Sequence, residues 1–499
     1  MKKIFLISLT LVAFILKAQQ GNTLLSQDFW KTKPDVAAVQ AEIAKGNSPT
    51  ELNGMAFDAT SMAINNDAPN ATIKFLLEQK GNSISKLTHD NRIYLHWAAS
   101  KGNAEIVKYL IDKGSDIRLE DSHGIAPIAF AAGNGQTNVA VYEAFFKAGI
   151  DVKSKYRDGA SLLLLAIPSD KDLSLTNYFV SKGLSLSDVD NNGNTAFNYA
   201  ARAGNLELLK TLLKKGVKYT DNALLMAAQG TRRSTSPIEV YQYLVEELKI
   251  KPTITGENGD NVLHTIVRRQ KQSEIVNYFL AKGVDVNKAD NDGNTPLINA
   301  ASGKEVEIVG LLVSKIKNVN AVNAKGESAL TAAVKQGSPD VVSLLLDKGA
   351  DIKIKDKEGN SLAYYLIQSY RPLRAGAPNN AQQEEDFEAK LKKLQDKSLD
   401  FTSLQKDGNT LYHVAITKND LTLLKKIANL NINVNAKNNE GLTVLHKAAM
   451  IAKDTEILKY LLSIGAKKDI LTEFDETAYD LAKENEFLTK NNITIDFLK

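Results

Sequence analysis

The stretch "DNDGNTPLINAASGKEVEIVGLLVSK", Asp290 to Lys315, decides the fold. It opens on an Asp/Asn-rich tip in which Gly293 supplies a positive φ at little steric cost. Thr295 is placed to cap the helix that follows. Pro296 takes that helix's first position, where no backbone donor is needed. Leu297, Ala300 and Ala301 form one face of a short inner helix, and the two alanines let a second helix approach closely. Ser302-Gly303 ends the helix. Val306, Ile308, Val309, Leu311 and Leu312 then make the apolar stripe of an outer helix. Two helices this short are marginal in water, so the unit needs neighbours.

The neighbours are copies of itself. Gly293 has counterparts at Gly124, Gly159, Gly193, Gly259, Gly326, Gly359, Gly408 and Gly441, mostly 33 to 35 residues apart, each preceded within three residues by Asp or Asn. One gap, Gly193 to Gly259, spans two units, and Gly359 to Gly408 is long. Outer helices end at "DKGAD" (Asp347 to Asp351) and "AKGVD" (Ala281 to Asp285), with Gly as the left-handed residue beyond the helix. A fixed period of this length is the mark of a solenoid, whose stability is a nearest-neighbour property of the array.

The unit resembles the ankyrin repeat. "DNDGNTPLINAA", "NNEGLTVLHKAA", "DNNGNTAFNYAA" and "NRIYLHWAASKGNAEIVKYLIDKGSDI" match the family pattern of turn, Thr-Pro-Leu-His helix, Leu-Leu pair and Gly-Ala-Asp end. The likeness runs from about Phe57 to Ala482. It implies an all-α solenoid of about a dozen helix-turn-helix units with β-hairpin-like turns. It also implies a concave face at the ends of the inner helices where a protein partner binds.

Around this array the chain divides as follows. Residues 1–18 read as a signal peptide: Lys2-Lys3, an apolar run from Ile4 to Leu16 too short to span a bilayer, and Ala18 before the cleavage point. Residues 19–56 read as an N-terminal capping half-repeat with a more polar helix, 57–472 as the array and 473–499 as a C-terminal cap. Insertions are expected near 230–240 ("GTRRSTSPIEV") and 370–397 ("YRPLRAGAPNNAQQEEDFEAKLKKLQDK"), the latter a loop followed by a charged helix. The expected address is periplasmic or secreted. With no Cys in 499 residues, stability rests on apolar packing rather than disulfides. No second run of spanning length follows, so no membrane span is expected in the mature chain. A net charge of +4 does not suit the chain to polyanions such as nucleic acid.

Sites for chemistry are sparse. His96, His264, His413 and His446 all fall at the Leu-His position, one per unit, and are expected to bridge turn and helix by hydrogen bonds. "DVDNNGNTAFNY" (Asp188 to Tyr199) begins like a calcium loop but ends in Tyr199 where a bidentate Glu is needed. Trp97, Phe130, Leu165, Tyr199 and Met226 precede the motif alanine and are expected in the core. There is no nucleophile, phosphate-loop or metal motif, so the expectation is a non-enzyme without cofactor or metal.

Arginines are scarce, and beyond Arg92, Arg118 and Arg157 they cluster. Arg202, Arg232, Arg233, Arg268 and Arg269 follow the inner helices of three consecutive units, joined by Lys271; Arg371 and Arg374 take the same place further on. Stacked at about 10 Å, these would form a guanidinium ladder for carboxylates. The expected function is a monomeric envelope scaffold whose concave face binds a protein partner with an acidic surface. The alternative is an accessory that regulates or protects a periplasmic enzyme. An enzyme with its site in an insertion is the third reading.

Overall fold

The computed structural model describes residues 21–231, 234–372 and 380–499. The proposed signal peptide lies outside the described residues, as do Arg232, Arg233 and Arg374. The chain forms two compact units, Met1–Lys251 and Pro252–Lys499. Among the described residues secondary structure is helical, and extended pairing is confined to single antiparallel bridges such as Val322–Ser328 and Lys355–Ser361 at the turns. No helix among the described residues is long and apolar enough to cross a membrane.

In the second unit the Asp290–Lys315 stretch folds as its residues dictate. Asp290 Oδ1 accepts from Asp292 N (3.0 Å) and Asn294 N (2.7 Å), closing the tip. Gly293 has φ +80°, and a Cβ there would sit 2.8 Å from Ala324 N of the following turn. That close approach serves a hydrogen bond: Ala324 N donates to Asp292 O (2.7 Å), and one unit on, Lys357 N donates to Lys325 O (2.9 Å). Successive hairpin tips are thus tied backbone to backbone. Thr295 caps Pro296–Ala301, accepting from Ile298 N. The outer helix is Val306–Val313, and it buries Ile308, Val309 and Leu312. Leu311, expected in the stripe, is only half-buried. It lies 100° around the helix from Leu312, on the shoulder of the buried face.

Inner helices pack on inner helices and outer on outer within each unit. In the first unit the same pairing begins with Gln27–Lys31, which packs on Ala59–Asn65, and Val36–Ala44, which packs on Asn70–Leu77. The N-terminal segment is therefore a helix pair with a shortened inner helix, not half a unit. Trp30 anchors it, fully buried with Nε1 donating to Leu24 O (2.8 Å). After Ala223–Gln229 the next helix is Ile238–Gln242, which runs on as a π-helical turn, Tyr243–Glu247.

Within the 370–397 stretch, of which 373–379 lie outside the described residues, the charged helix packs as part of a repeat. Asn380–Asp396 packs on the outer helix Pro339–Asp347 and on its own inner helix Leu362–Ser369. It is the outer helix of its unit, lengthened. Phe387, Leu391 and Leu394 are buried, and Lys426 of the following outer helix pairs with Glu384 (2.7 Å) and with Glu388.

Candidate functional site

The four motif histidines form part of the frame. Each Nε2 meets a carbonyl of the following turn: His96 with Ile125 O (3.0 Å), His264 with Asn294 O (3.0 Å), His413 with Leu442 O (2.9 Å) and His446 with Ile470 O (2.9 Å). In three of them Nδ1 also closes a capping box, with Asn261, Thr410 or Thr443. His96 follows Ile93 at the cap, and its Nδ1 has no partner. Burial holds all four imidazoles neutral, lowering His96 and His413 to about 4.

The apolar series belongs to the core: Trp97, Phe130, Tyr199 and Met226 are buried and Leu165 half-buried. In the Asp188–Tyr199 stretch the Asp190 carboxylate is filled by the protein itself. It accepts from Asn192 N (2.9 Å), Asn194 N (2.8 Å) and Tyr199 OH (2.9 Å). Among the described residues no cluster of His, Asp and Glu is arranged to hold a metal.

The basic candidates fall at inner-helix ends but not in one place. In the first unit, Arg202 is the C-cap of Ala196–Ala201. Half-buried, it donates from Nε to Gly230 O (3.3 Å) and lines a recess of about 290 Å³ with Tyr199. In the second unit, Arg268 is exposed and donates from Nη2 to Asn299 Oδ1 (2.7 Å), on a cleft of about 380 Å³ shared with Asp290 and Asp292. Arg269 is half-buried, and Lys271 is exposed at a left-handed position (φ 58°) ahead of the outer helix Ser273–Ala281. Arg371 is exposed beyond Leu362–Ser369, on a separate cleft of about 670 Å³. Arg268 and Arg371 therefore serve different clefts.

Counting arginines alone missed two groups. Lys418 stands two residues beyond the inner helix Leu411–Ile416, as Arg371 does beyond its own, and lines the same cleft. The position was legible; restricting it to Arg hid Lys418. Arg92, set aside because it lies outside the cluster, is 6% exposed. It sits 4.3 Å from the Phe130 ring centroid and 5.1 Å from that of Trp97, with Nε donating to Asp121 Oδ2 (2.8 Å). It is a tie between turn and core, not a free contact group.

Sequence models for ankyrin repeats match this chain over residues 59–156, 129–223, 162–256 and 263–356 (the three-copy description) and 412–462 (the many-copy description). Among curated proteins, the chain is 31% identical over 208 residues to the palmitoyltransferase AKR1 of Lachancea kluyveri, covering 39% of this chain and 27% of that one. It is 27% identical over 258 residues to the putative ankyrin repeat protein FPV022 of fowlpox virus, covering 46% and 43%. It is 27% identical over 149 residues to the probable 26S proteasome regulatory subunit p28 of Saccharomyces cerevisiae, covering 29% and 64%. The chain thus spans less than two thirds of each. Among solved structures, the ankyrin repeat domain of Bcl-3 aligns with TM-score 0.36 and 22% identity over 47% of this chain and 100% of that one. With repeat models matching well over half of its residues, the chain belongs to the ankyrin repeat family.

Proposed function

We propose that this protein is a non-catalytic, monomeric interaction scaffold of the cell envelope, exported after cleavage near Ala18, that holds a protein partner at the ends of its inner helices. Ankyrin repeats generally mediate protein–protein interaction, and the repeat likeness carries that much. The observation that carries the surface is the recurrence, within each unit taken by itself, of a cation one or two residues beyond an inner helix: Arg202 in the first, and Arg268, Arg371 and Lys418 in the second. Guanidinium groups present a planar fork to carboxylates and are favoured at interfaces. The partner in this reading offers acidic groups and is not a nucleic acid. A second reading, an accessory that regulates an envelope enzyme, draws on the yeast relative named as a proteasome regulatory subunit.

The test is capture from envelope extracts by the tagged full chain, followed by titration of whatever saturable partner is identified. Replacing Arg202, Arg268, Arg269 and Arg371 together by Ser is expected to weaken binding by more than about tenfold, measured on a variant whose melting curve shows the array still folded. Replacing Lys210, Lys214, Lys348 and Lys425, on or just beyond outer helices, is expected to do little. Equal loss from both sets, or none from the Arg set, overturns the surface; absence of any saturable partner overturns the scaffold. Intact mass of the envelope-fraction protein tests export, since a chain still carrying Met1 to Ala18 defeats that part.

A further inference from the structure

We propose that the 670 Å³ cleft of the second unit is the binding site for an acidic, extended segment of a partner protein, whose carboxylates seat on Arg371 and Lys418. The proposal rests on the scaffold reading and names its site and its ligand chemistry. A cleft of this volume lies within the range of about 300–1,000 Å³ typical of ligand sites.

The argument is one of charge already spent and charge left over. Three carboxylates line the cleft, and the protein's own donors hold all of them. Glu327 pairs with Lys335 (3.3 Å) and lies 3.1 Å from the Tyr365 hydroxyl. Asp356 accepts from that hydroxyl (2.6 Å) and from Asn360 Nδ2 (3.0 Å). Glu358 pairs with Lys406 (2.6 Å). The cations Lys325, Lys357, Arg371 and Lys418 line the same cleft, and none makes an ion pair with a described residue. Lys418 is half-buried, with Nζ donating to Gln368 Oε1 (3.3 Å). Burial, and next the Arg371 guanidinium, lower its pKa. Two like charges therefore share one partly desolvated site without a counter-ion, and an incoming carboxylate relieves both costs.

The same lining selects among anions. Glu327, Asp356 and Glu358 border the cleft, so an unbroken phosphate chain would run past three negative groups. A peptide with spaced carboxylates can place them on the cations and its neutral residues elsewhere. The half-buried Tyr364 ring, packed edge-on to Tyr365 at 5.3 Å, offers those neutral residues an apolar floor.

The test uses the full chain and three labelled probes followed by fluorescence anisotropy: a Glu/Asp-rich peptide of about ten residues, its Gln/Asn counterpart, and an oligothymidylate of equal charge. The acidic peptide is expected to bind, with affinity falling as salt rises. The amide counterpart should bind about tenfold or more weakly. Arg371→Gln with Lys418→Gln should cost about tenfold or more, and Arg371→Gln alone, at an exposed position, should show part of that loss with an unchanged melting curve. Lys348→Ser with Lys425→Ser removes equal charge from outside the cleft and should leave binding intact. Equal loss from the two pairs, no loss from the cleft pair, or tighter binding of oligothymidylate through the same residues overturns the proposal. A partner captured equally well by the cleft variant and the parent protein also removes the site, while leaving the scaffold reading standing.

Discussion

At the scale of the residue, a histidine at one position of four inner helices joins consecutive units, and its chemistry titrates. His413 is held by Leu442 O on one nitrogen and Thr410 on the other, buried and neutral, with its pKa lowered to about 4. The unfolded value is about 6.5, so as pH falls the unfolded chain takes up the proton first. The stabilising contribution is complete above about pH 6.5 and is lost as pH falls toward 4, by up to about 3 kcal/mol. At the corresponding position Asn198 does the same work without titrating: its Oδ1 accepts from Thr220 N (3.1 Å). His413→Asn is therefore expected to fold, and to lose measurably less stability between pH 7.5 and 5 than the parent protein. Hydrogen exchange in Leu411–Ile416, corrected for intrinsic rates, measures this; identical pH slopes would show that His413 is not the titrating group. The role of these histidines was legible because the motif fixes their spacing. The role of Arg92 was not, because Phe130 and Asp121, which define it, lie in the following repeat, 38 and 29 residues away in sequence.

At the scale of the element, the helix pair was legible and its phase was not. A 3.6-residue period accommodates Leu311 or Leu312 as the last inward residue of Val306–Val313, and only the packed neighbour decides for Leu312. Leu312→Ala should cost about 2–5 kcal/mol as a fully buried large-to-small change, and Leu311→Ala clearly less. Exchange protection should fall first in Val306–Val313 and in the adjacent outer helices Ser273–Ala281 and Pro339–Asp347. A larger effect from Leu311 would reverse the assignment of the buried face. The same limit explains the lengthened helix Asn380–Asp396. Its charged composition suggests an appendage, yet Phe387, Leu391 and Leu394 recur at i, i+4 and i+7. Charge draws attention to the solvated face; the sparse apolar stripe places the helix.

At the scale of the molecule, stability is assembled from ties between consecutive units, with no Cys in the chain and no metal cluster among the described residues. Hairpin tips bond to the next tip, histidines reach the next turn, and inner helices rest on inner helices. Damage to one tie should therefore stay near it. Asn485, between the last helices Ala478–Glu484 and Glu486–Lys490, tests this. Its Nδ2 donates to Ala449 O (2.9 Å) and Ala452 O (2.9 Å) of the preceding repeat, while Oδ1 caps the final helix through Phe487 N (2.9 Å) and Leu488 N (3.2 Å). The side chain is 9% exposed, so Asn485→Ala leaves these groups short of partners with little access to water. The expected loss is about 2–4 kcal/mol, the sum of a missing cap and unsatisfied buried carbonyls. It should appear as faster exchange in Val444–Ile451 and Ala478–Lys490, with Val262–Ile266 and Ser273–Ala281 unchanged. Adding a chelator or a reductant should alter neither pattern. Uniform acceleration through the second unit would show that it unfolds as one block, and the nearest-neighbour account would fail.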